Sequence, residues 1–422
     1  MSKKTLLIVC GGIEAVHGIE LAKARGLHVV VSDMNPDAPG IKAADDALIA
    51  STYDVEQTLN AALHYNANVR KIDGVMCLGA DVPRTVAAIT NALTLPGISE
   101  QSAHLAADKL AMKEQFSKNG VPAPWFQPVA DVQDLRKIVC QQKKPLVIKP
   151  ADSRGSRGVQ RIDSCADLSV AFQKAYDQSP TQRVMVEEYL DGPQISTESI
   201  VLDGKAYTPG FSDRNYEYLE RFAPFFIENG GDLPSHLPED AQAAICDVVE
   251  RAAASLGIQN GNVKGDMVFH KGKPFIIELA ARLSGGYFCT LEIPLNTGVD
   301  FVGNVIKQAL GEPLNPKDLI PKFNTPIAQR YKFIEPGRIT DIRRGMTARN
   351  LPGVEELMIS AAVGDIIQLT ENTTSRVAMV IASGRSAKEA AQRAQNAIDT
   401  LEFDVAPVSP TTTSEARLSV TA

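Results

Sequence analysis

The sequence predicts an α/β protein that turns α+β in its later domains, and three observations carry that expectation. The first hundred residues alternate short apolar runs with helical stretches, as in a parallel, doubly wound sheet. After roughly Pro321 the pattern changes to short strands with turn signals. At 422 residues the chain exceeds what one hydrophobic core supports, so two or three domains are expected.

Thr5 to Cys10 reads as a buried strand, and Gly11-Gly12 turns into a helix through about Arg25. Leu27 to Ser32 is the next strand, ending at Asp33; Ile72 to Leu78 is another, with helices at Val55 to Tyr65 and Val82 to Leu93. A helical stretch from about Ser102 carries Asp108-Lys109, and Val121-Pro122-Ala123-Pro124 breaks the pattern. Strands follow at Pro145 to Lys149, Val184 to Glu187 and Ser196 to Val201. Glu239 to Leu256 has the spacing of an amphipathic helix, and so does Ala387 to Leu401 after a strand at Ala378 to Ala382. The residues from Ala406 onward are rich in Ser, Thr and Pro and are expected to be disordered.

Composition narrows the function. Hydrophobic content of 44% and charged content of 22% are those of a soluble globular protein. A net charge of -7 without a long basic run argues against nucleic acid. The apolar run after Lys3-Lys4 is short for a signal peptide, and no segment is long and apolar enough to span a membrane. Six scattered cysteines with no Cys-x-x-Cys pair point to reduced thiols and a cytoplasmic location. Gly11-Gly12 with Asp33 imitates a dinucleotide fingerprint, but the third glycine in register is missing, which sets a nicotinamide oxidoreductase aside.

The most informative stretch runs from Gly265 to Arg282: two strands about a polar turn, with Asp266 on one and Glu278 on the other. Two converging carboxylates repel unless a cation lies between them, and hard oxygen ligands suit Mg²⁺. The two positions lie directly opposite, with Cβ atoms roughly 5 Å apart, if the turn around Lys271-Gly272-Lys273 has an odd number of residues. A two-residue turn puts them on opposite faces. Arg282, beside Leu283-Ser284-Gly285-Gly286, is a structural partner for either acid or a holder of an anionic substrate. Upstream, Lys149 ends a strand before Asp152-Ser153-Arg154-Gly155-Ser156-Arg157-Gly158, whose glycines let backbone amides approach phosphate oxygens. Val186-Glu187-Glu188-Tyr189-Leu190 is another strand ending in carboxylates and a turn.

These pieces, in this order, resemble the ATP-grasp superfamily over about Ser102 to Leu310. The Glu278-Leu-Ala-Ala-Arg282-Leu-Ser-Gly-Gly run resembles the Glu-x-Ala-Ala-Arg pattern of L-amino acid ligases, as do Leu351-Pro-Gly-Val, Val363-Gly-Asp and Ser375-Arg-Val-Ala. The resemblance implies a Rossmann-like front domain at 1–100 and a two-lobed nucleotide-binding region at 101–320, with its small lobe at about 121–188. A small β-rich domain at 321–404 and a disordered tail at 405–422 would follow.

It also implies ATP with Mg²⁺, or Mn²⁺ in its place. Lys109 and Lys149 would contact the phosphates under the loop Ser153, Gly155, Ser156 and Gly158. Glu187, Glu188, Tyr189 and Leu190 would hold the adenine edge, largely through backbone groups, with Gln194 at the ribose. Asp266 and Glu278 would bind the metal. Arg282 would steady the phosphorylated intermediate, and Glu228, Arg282, Ser284 and Gly285 would face the substrates.

Three departures from the family stand out: Gln194 for a common Glu, Asp266 for Glu, and Ala280 where many members place a metal-binding Asn. Gly231 also occupies a position that is often His. The implied activity is ATP-dependent ligation of a small carboxylate and an amine, without nucleic acid or membrane, in a protein whose relatives often form homodimers. The rivals are a carboxylase or formyltransferase of purine-synthesis type and a non-catalytic nucleotide-binding protein.

Overall fold

A computed structural model describes residues 3–408, so the expected disorder of the tail beyond 408 lies outside the described residues. The chain divides into two compact units. Of the described residues, the first comprises 3–123, 195–211 and 237–324; the second comprises 124–194, 212–236 and 325–408.

The front of the first unit is a four-stranded sheet in the order Asp46–Ile49, His28–Asp33, Thr5–Val9, Gly74–Cys77, with every pairing parallel. All five residues of Thr5–Val9 are buried, the mark of a parallel strand covered on both faces. The expected α/β class holds here. Asp33 accepts a hydrogen bond from the Gly11 amide at 2.9 Å, so this carboxylate ties down the strand-to-helix turn.

The strands Lys273–Ala280, Gly261–His270, Gln194–Leu202 and Lys205–Asn215 are neighbours in that order, the first two paired antiparallel. Helix Glu239–Ser255 presents Ile245, Val248, Val249 and Ala252 on one stripe to a core that includes Met112, Phe116, Ile276 and Leu279. What reads in sequence as one helical stretch near Ser102 is two helices, Glu100–Ala107 and Lys109–Lys118. Asp108 divides them, its carboxylate accepting from the amides of Leu110 and Ala111 at 3.1 Å. This N-cap fixes Lys109 as the first residue of its helix.

In the second unit, strands Phe126–Val129, Val184–Glu188, Leu146–Pro150 and Gln160–Ile162 form an antiparallel sheet. Helices Val132–Gln142 and Leu168–Asp177 supply Leu135, Ile138, Ala171 and Phe172 to its core. Further on, Ile327–Lys332 pairs with Gly230–Leu233 on one side and Ala378–Ser383 on the other, and Val354–Ile359 lies beyond. Helix Ala387–Thr400 meets this sheet through Ala390, Ala394, Ala397 and Ile398. Strand Glu402–Ala406 pairs with Gly337–Arg343, so Val405 and Ala406, expected in the tail, belong to a sheet.

The hairpin Gly261–His270/Lys273–Ala280 corrects one expectation. Its turn is two residues, Lys271 and Gly272, both at positive φ (48° and 76°). That is the backbone of a tight hairpin turn whose twist matches the flanking strands. By itself this turn would place Asp266 and Glu278 on opposite faces. The register shifts at Asp266/Met267, where Ile277 is the extra residue, and beyond the bulge Asp266 lies directly opposite Glu278. No atom lies within 4 Å of a Cβ built on Gly272, so a side chain there meets backbone strain alone. Gly272→Val should therefore lower unfolding stability by about 1–2 kcal/mol, read from urea titration. An unchanged midpoint would count against the turn assignment.

Candidate active site

The bulged hairpin gathers four side chains of the first unit on one strand face. Asp266 faces Glu278, and Lys264, two residues before Asp266, stands opposite Ala280. Lys264 forms an ion pair with Asp266. Lys109 reaches Glu278 from the start of its helix, Nζ to Oε1 3.2 Å. Each acid thus has an ammonium neighbour within the unit. Sequence reasoning missed Lys264; the two-residue alternation along a strand was the signal for it.

These residues fit a hard divalent cation: two carboxylates on one face, both partly exposed. Among the described residues no group of three or more His, Cys, Asp and Glu side chains could hold a metal. Mg²⁺ at this pair would take its remaining oxygens from phosphate and water. Ala280 is buried and supplies none.

Arg282 follows the hairpin in a segment held by the front sheet. Leu283 bridges to Leu78 in parallel register, and its carbonyl accepts from the Gly79 amide at 3.4 Å. The Arg282 Nη1 donates to the same carbonyl at 3.2 Å, and Nε lies 3.7 Å from Asp81. Burial draws the guanidinium pKa down, but Asp81 and Glu198 more than offset it, so Arg282 sits above its usual value.

Beyond Arg282, the Ser284 amide donates to Glu198 at 3.1 Å and the Gly286 amide donates to Glu14 at 2.8 Å. Glu198, on strand Gln194–Leu202, is fully buried. Burial pushes its carboxyl up to about 7, against the pull of Ser284, Arg282 and Lys264. Sequence reasoning missed Asp81, Glu198 and Glu14, since nothing local links them to a loop so far along the chain.

The second unit holds the other expected residues. Lys149 and Glu187 lie on adjacent strands, two register positions apart on one face, and form a buried ion pair. Removing one partner of such a pair costs about 3–5 kcal/mol. After Lys149 the chain runs through Gly155, Ser156 and Gly158, all at positive φ. A Cβ on Gly158 would sit 3.1 Å from Lys174 O and from Pro150, so this glycine answers to space as well as conformation. Thr373 Oγ1 donates to Gly155 O at 3.1 Å. The amides of Glu188 and Tyr189 donate to Trp125 O and Pro145 O at 2.8 and 3.2 Å, and Lys144 pairs with the Glu188 carboxylate at 2.7 Å. The amides of Glu188 and Tyr189 are thus already engaged within the unit. Gln194 opens its strand.

Glu228 is held by Arg214, whose Nε donates at 2.9 Å, and by Arg376, whose Nη2 donates to the Glu228 carbonyl at 3.0 Å. Arg376 stacks 3.7 Å from the Tyr331 ring centroid. Arg214 was not singled out in the sequence, and Arg376 was quoted there only as part of the Ser375-Arg-Val-Ala run, without this contact.

Residues 106–286 match the ATP-grasp domain, and residues 330–406 match the L-amino acid ligase C-terminal domain 2. The chain thus carries an ATP-grasp domain followed by an L-amino acid ligase C-terminal domain, and it is similar to ATP-grasp carboxylate–amine ligases. The fold is similar to that of an L-amino acid ligase from Bacillus licheniformis, with a TM-score of 0.82 and 23% identity over 96% of this chain and all of that one. A phosphoribosylamine–glycine ligase of Methanococcoides burtonii is 23% identical over 95% of this chain and 94% of its own. A D-alanine–D-alanine ligase of Ralstonia nicotianae is 28% identical over 42% of this chain, which spans 54% of that relative's length. The expected ATP-grasp architecture is thus present. Within this ATP-grasp chain, no described helix is long and apolar enough to cross a membrane.

The raised Glu198 pKa has a measurable consequence. The folded chain keeps a proton that the unfolded chain releases near the usual glutamate value. That contribution to stability is full below the unfolded pKa and is lost as pH rises through about 7. Glu198→Gln has no proton to lose, so its Tm should rise relative to wild type between about pH 5 and pH 8. A constant Tm difference across that window would contradict the assignment.

Proposed function

We propose that this chain is an ATP-dependent ligase joining a small carboxylate, an amino acid or a close analogue, to an amine through an acyl phosphate. The observation that carries this reading is the Asp266–Glu278 pair, brought face to face by a bulge and flanked by Lys109 and Lys264. The family uses ATP with Mg²⁺, and these two carboxylates are the residues that would hold the ion. When bound, the metal supplies charge neutralisation at the phosphoryl oxygens.

A substrate carboxylate oxygen attacks the γ-phosphorus, the bond to the bridging oxygen breaks, and ADP leaves. Lys109 and Lys149 offset charge on the phosphoryl group during that transfer. The loop Ser153, Gly155, Ser156 and Gly158 supplies amides to the phosphates and keeps out water, which would hydrolyse the acyl phosphate. The backbone at Leu190 meets the adenine edge, beside Glu187, Glu188 and Tyr189, and Gln194 meets the ribose.

In the second step the neutral amine nitrogen attacks the acyl carbon, the carbon–oxygen bond to phosphate breaks, and the amine proton leaves with phosphate or water. Arg282 stabilises the oxyanion as the amine adds, with Ser284 and Gly285 at the substrate. Glu228, held between two arginines, faces the substrate as a fixed acceptor. We further propose a cytoplasmic enzyme, supported by ATP use and by six cysteines that are all unbridged, and a homodimer as its working form.

Hydroxylamine trapping tests the reaction. Incubation with ATP, Mg²⁺ and a panel of amino acids should yield hydroxamate with ADP; AMP in its place would mean adenylation and overturn the acyl phosphate. Glu278→Ala should abolish turnover, Lys149→Ala should sharply weaken ATP use, and Arg282→Ala should lower ligation more than ATP affinity. Wild-type turnover in Glu278→Ala would refute the metal assignment.

A further inference from the structure

We infer that Glu198 is a positioning residue for ligation, acting on Arg282 through the Leu283–Ser284 peptide. The inference rests on the role proposed above for Arg282.

The geometry is that of one planar unit held at both ends. A peptide bond keeps its carbonyl and its amide rigidly opposed. The amide end of the Leu283–Ser284 peptide is the Ser284 N–H, which donates to Glu198 Oε1 at 3.1 Å. The carbonyl end is Leu283 O, which receives Arg282 Nη1 at 3.2 Å and the Gly79 amide at 3.4 Å. Turning the peptide about its axis would break both sets of contacts together. Glu198 therefore fixes the carbonyl against which the guanidinium rests, without touching Arg282 by a hydrogen bond.

The surroundings give this contact its weight. Two glycines follow Ser284, and such a segment has many conformations to lose. Glu14 fixes its far end through the Gly286 amide at 2.8 Å. The Glu14 carboxylate lies so close to residues 79 and 285 that a Cβ on either glycine would overlap it. Glu198 is fully buried and Ser284 nearly so, so neither can exchange its partner for water.

The test compares Glu198→Leu, Glu198→Gln and Arg282→Ala in the full-length protein. Ligation is followed by ADP release with the best substrate pair from the trap, and hydrogen exchange is followed at the amides of 283–286. Glu198→Leu should lower kcat by about 100-fold, as expected for a reacting group displaced by about 1 Å, with the KM for ATP within about twofold. Exchange at Ser284 should rise in the same variant. Glu198→Gln keeps an acceptor oxygen and should recover most of the loss. If the leucine variant does not fold, Glu198→Ala decides: a lowered kcat at constant KM for ATP supports the role, and wild-type kcat overturns it. Normal ligation in Glu198→Leu with ligation lost in Arg282→Ala overturns the positioning role alone. Normal ligation in Arg282→Ala overturns the catalytic reading and the positioning role with it.

Discussion

Two carboxylates placed opposite one another on neighbouring strands are the constraint around which the first unit is arranged. Like charges directly opposite one another on paired strands repel and destabilise the sheet. The hairpin turn alone would have separated them; the bulge at Ile277 brings them together. A chain that bends its own register to oppose two like charges needs positive charge beside them. Lys109 and Lys264 provide it within the unit. Lys109 is held there by the Asp108 cap, so a helix start and a strand irregularity jointly define the cluster.

The second unit has the same character at Lys149 and Glu187. A buried ion pair contributes little net stability compared with apolar packing of equal volume, because both ions lose their water. Keeping such a pair beside a loop with three positive-φ residues is more readily understood as chemistry than as folding. Glu228 with Arg214 and Arg376 follows suit: an acid carried on well-ordered partners, with its direction fixed. The repeated device is a charged side chain oriented by a second charge before any ligand arrives, which lowers the reorganisation needed during reaction.

Much of the fold was legible in the residues. Thr5–Val9 is buried at every position and apolar at all but Thr5, as a parallel strand covered on both faces requires, and Glu239–Ser255 shows its buried stripe at helical spacing. Strand Phe126–Val129 was not read, since Phe126-Gln-Pro-Val129 has a proline and little alternation. The site was legible as residue types in order, including Asp266, Glu278 and Arg282. Its geometry was not, because a single extra residue reverses which face a side chain takes and leaves no mark in composition. The contacts of Glu198 and Glu14 with residues 284 and 286 span 86 and 272 positions, and no local pattern reports pairings of that range.

The claim on which the rest turns is that Asp266 and Glu278 jointly hold a divalent ion with the nucleotide. Electron paramagnetic resonance of Mn²⁺, titrated with a non-hydrolysable ATP analogue, tests it without relying on turnover. The account predicts a tightly bound Mn²⁺ in the wild-type chain that is lost in the Asp266→Asn, Glu278→Gln double variant while the variant remains folded. Tight, nucleotide-dependent Mn²⁺ binding that persists in the double variant would contradict it.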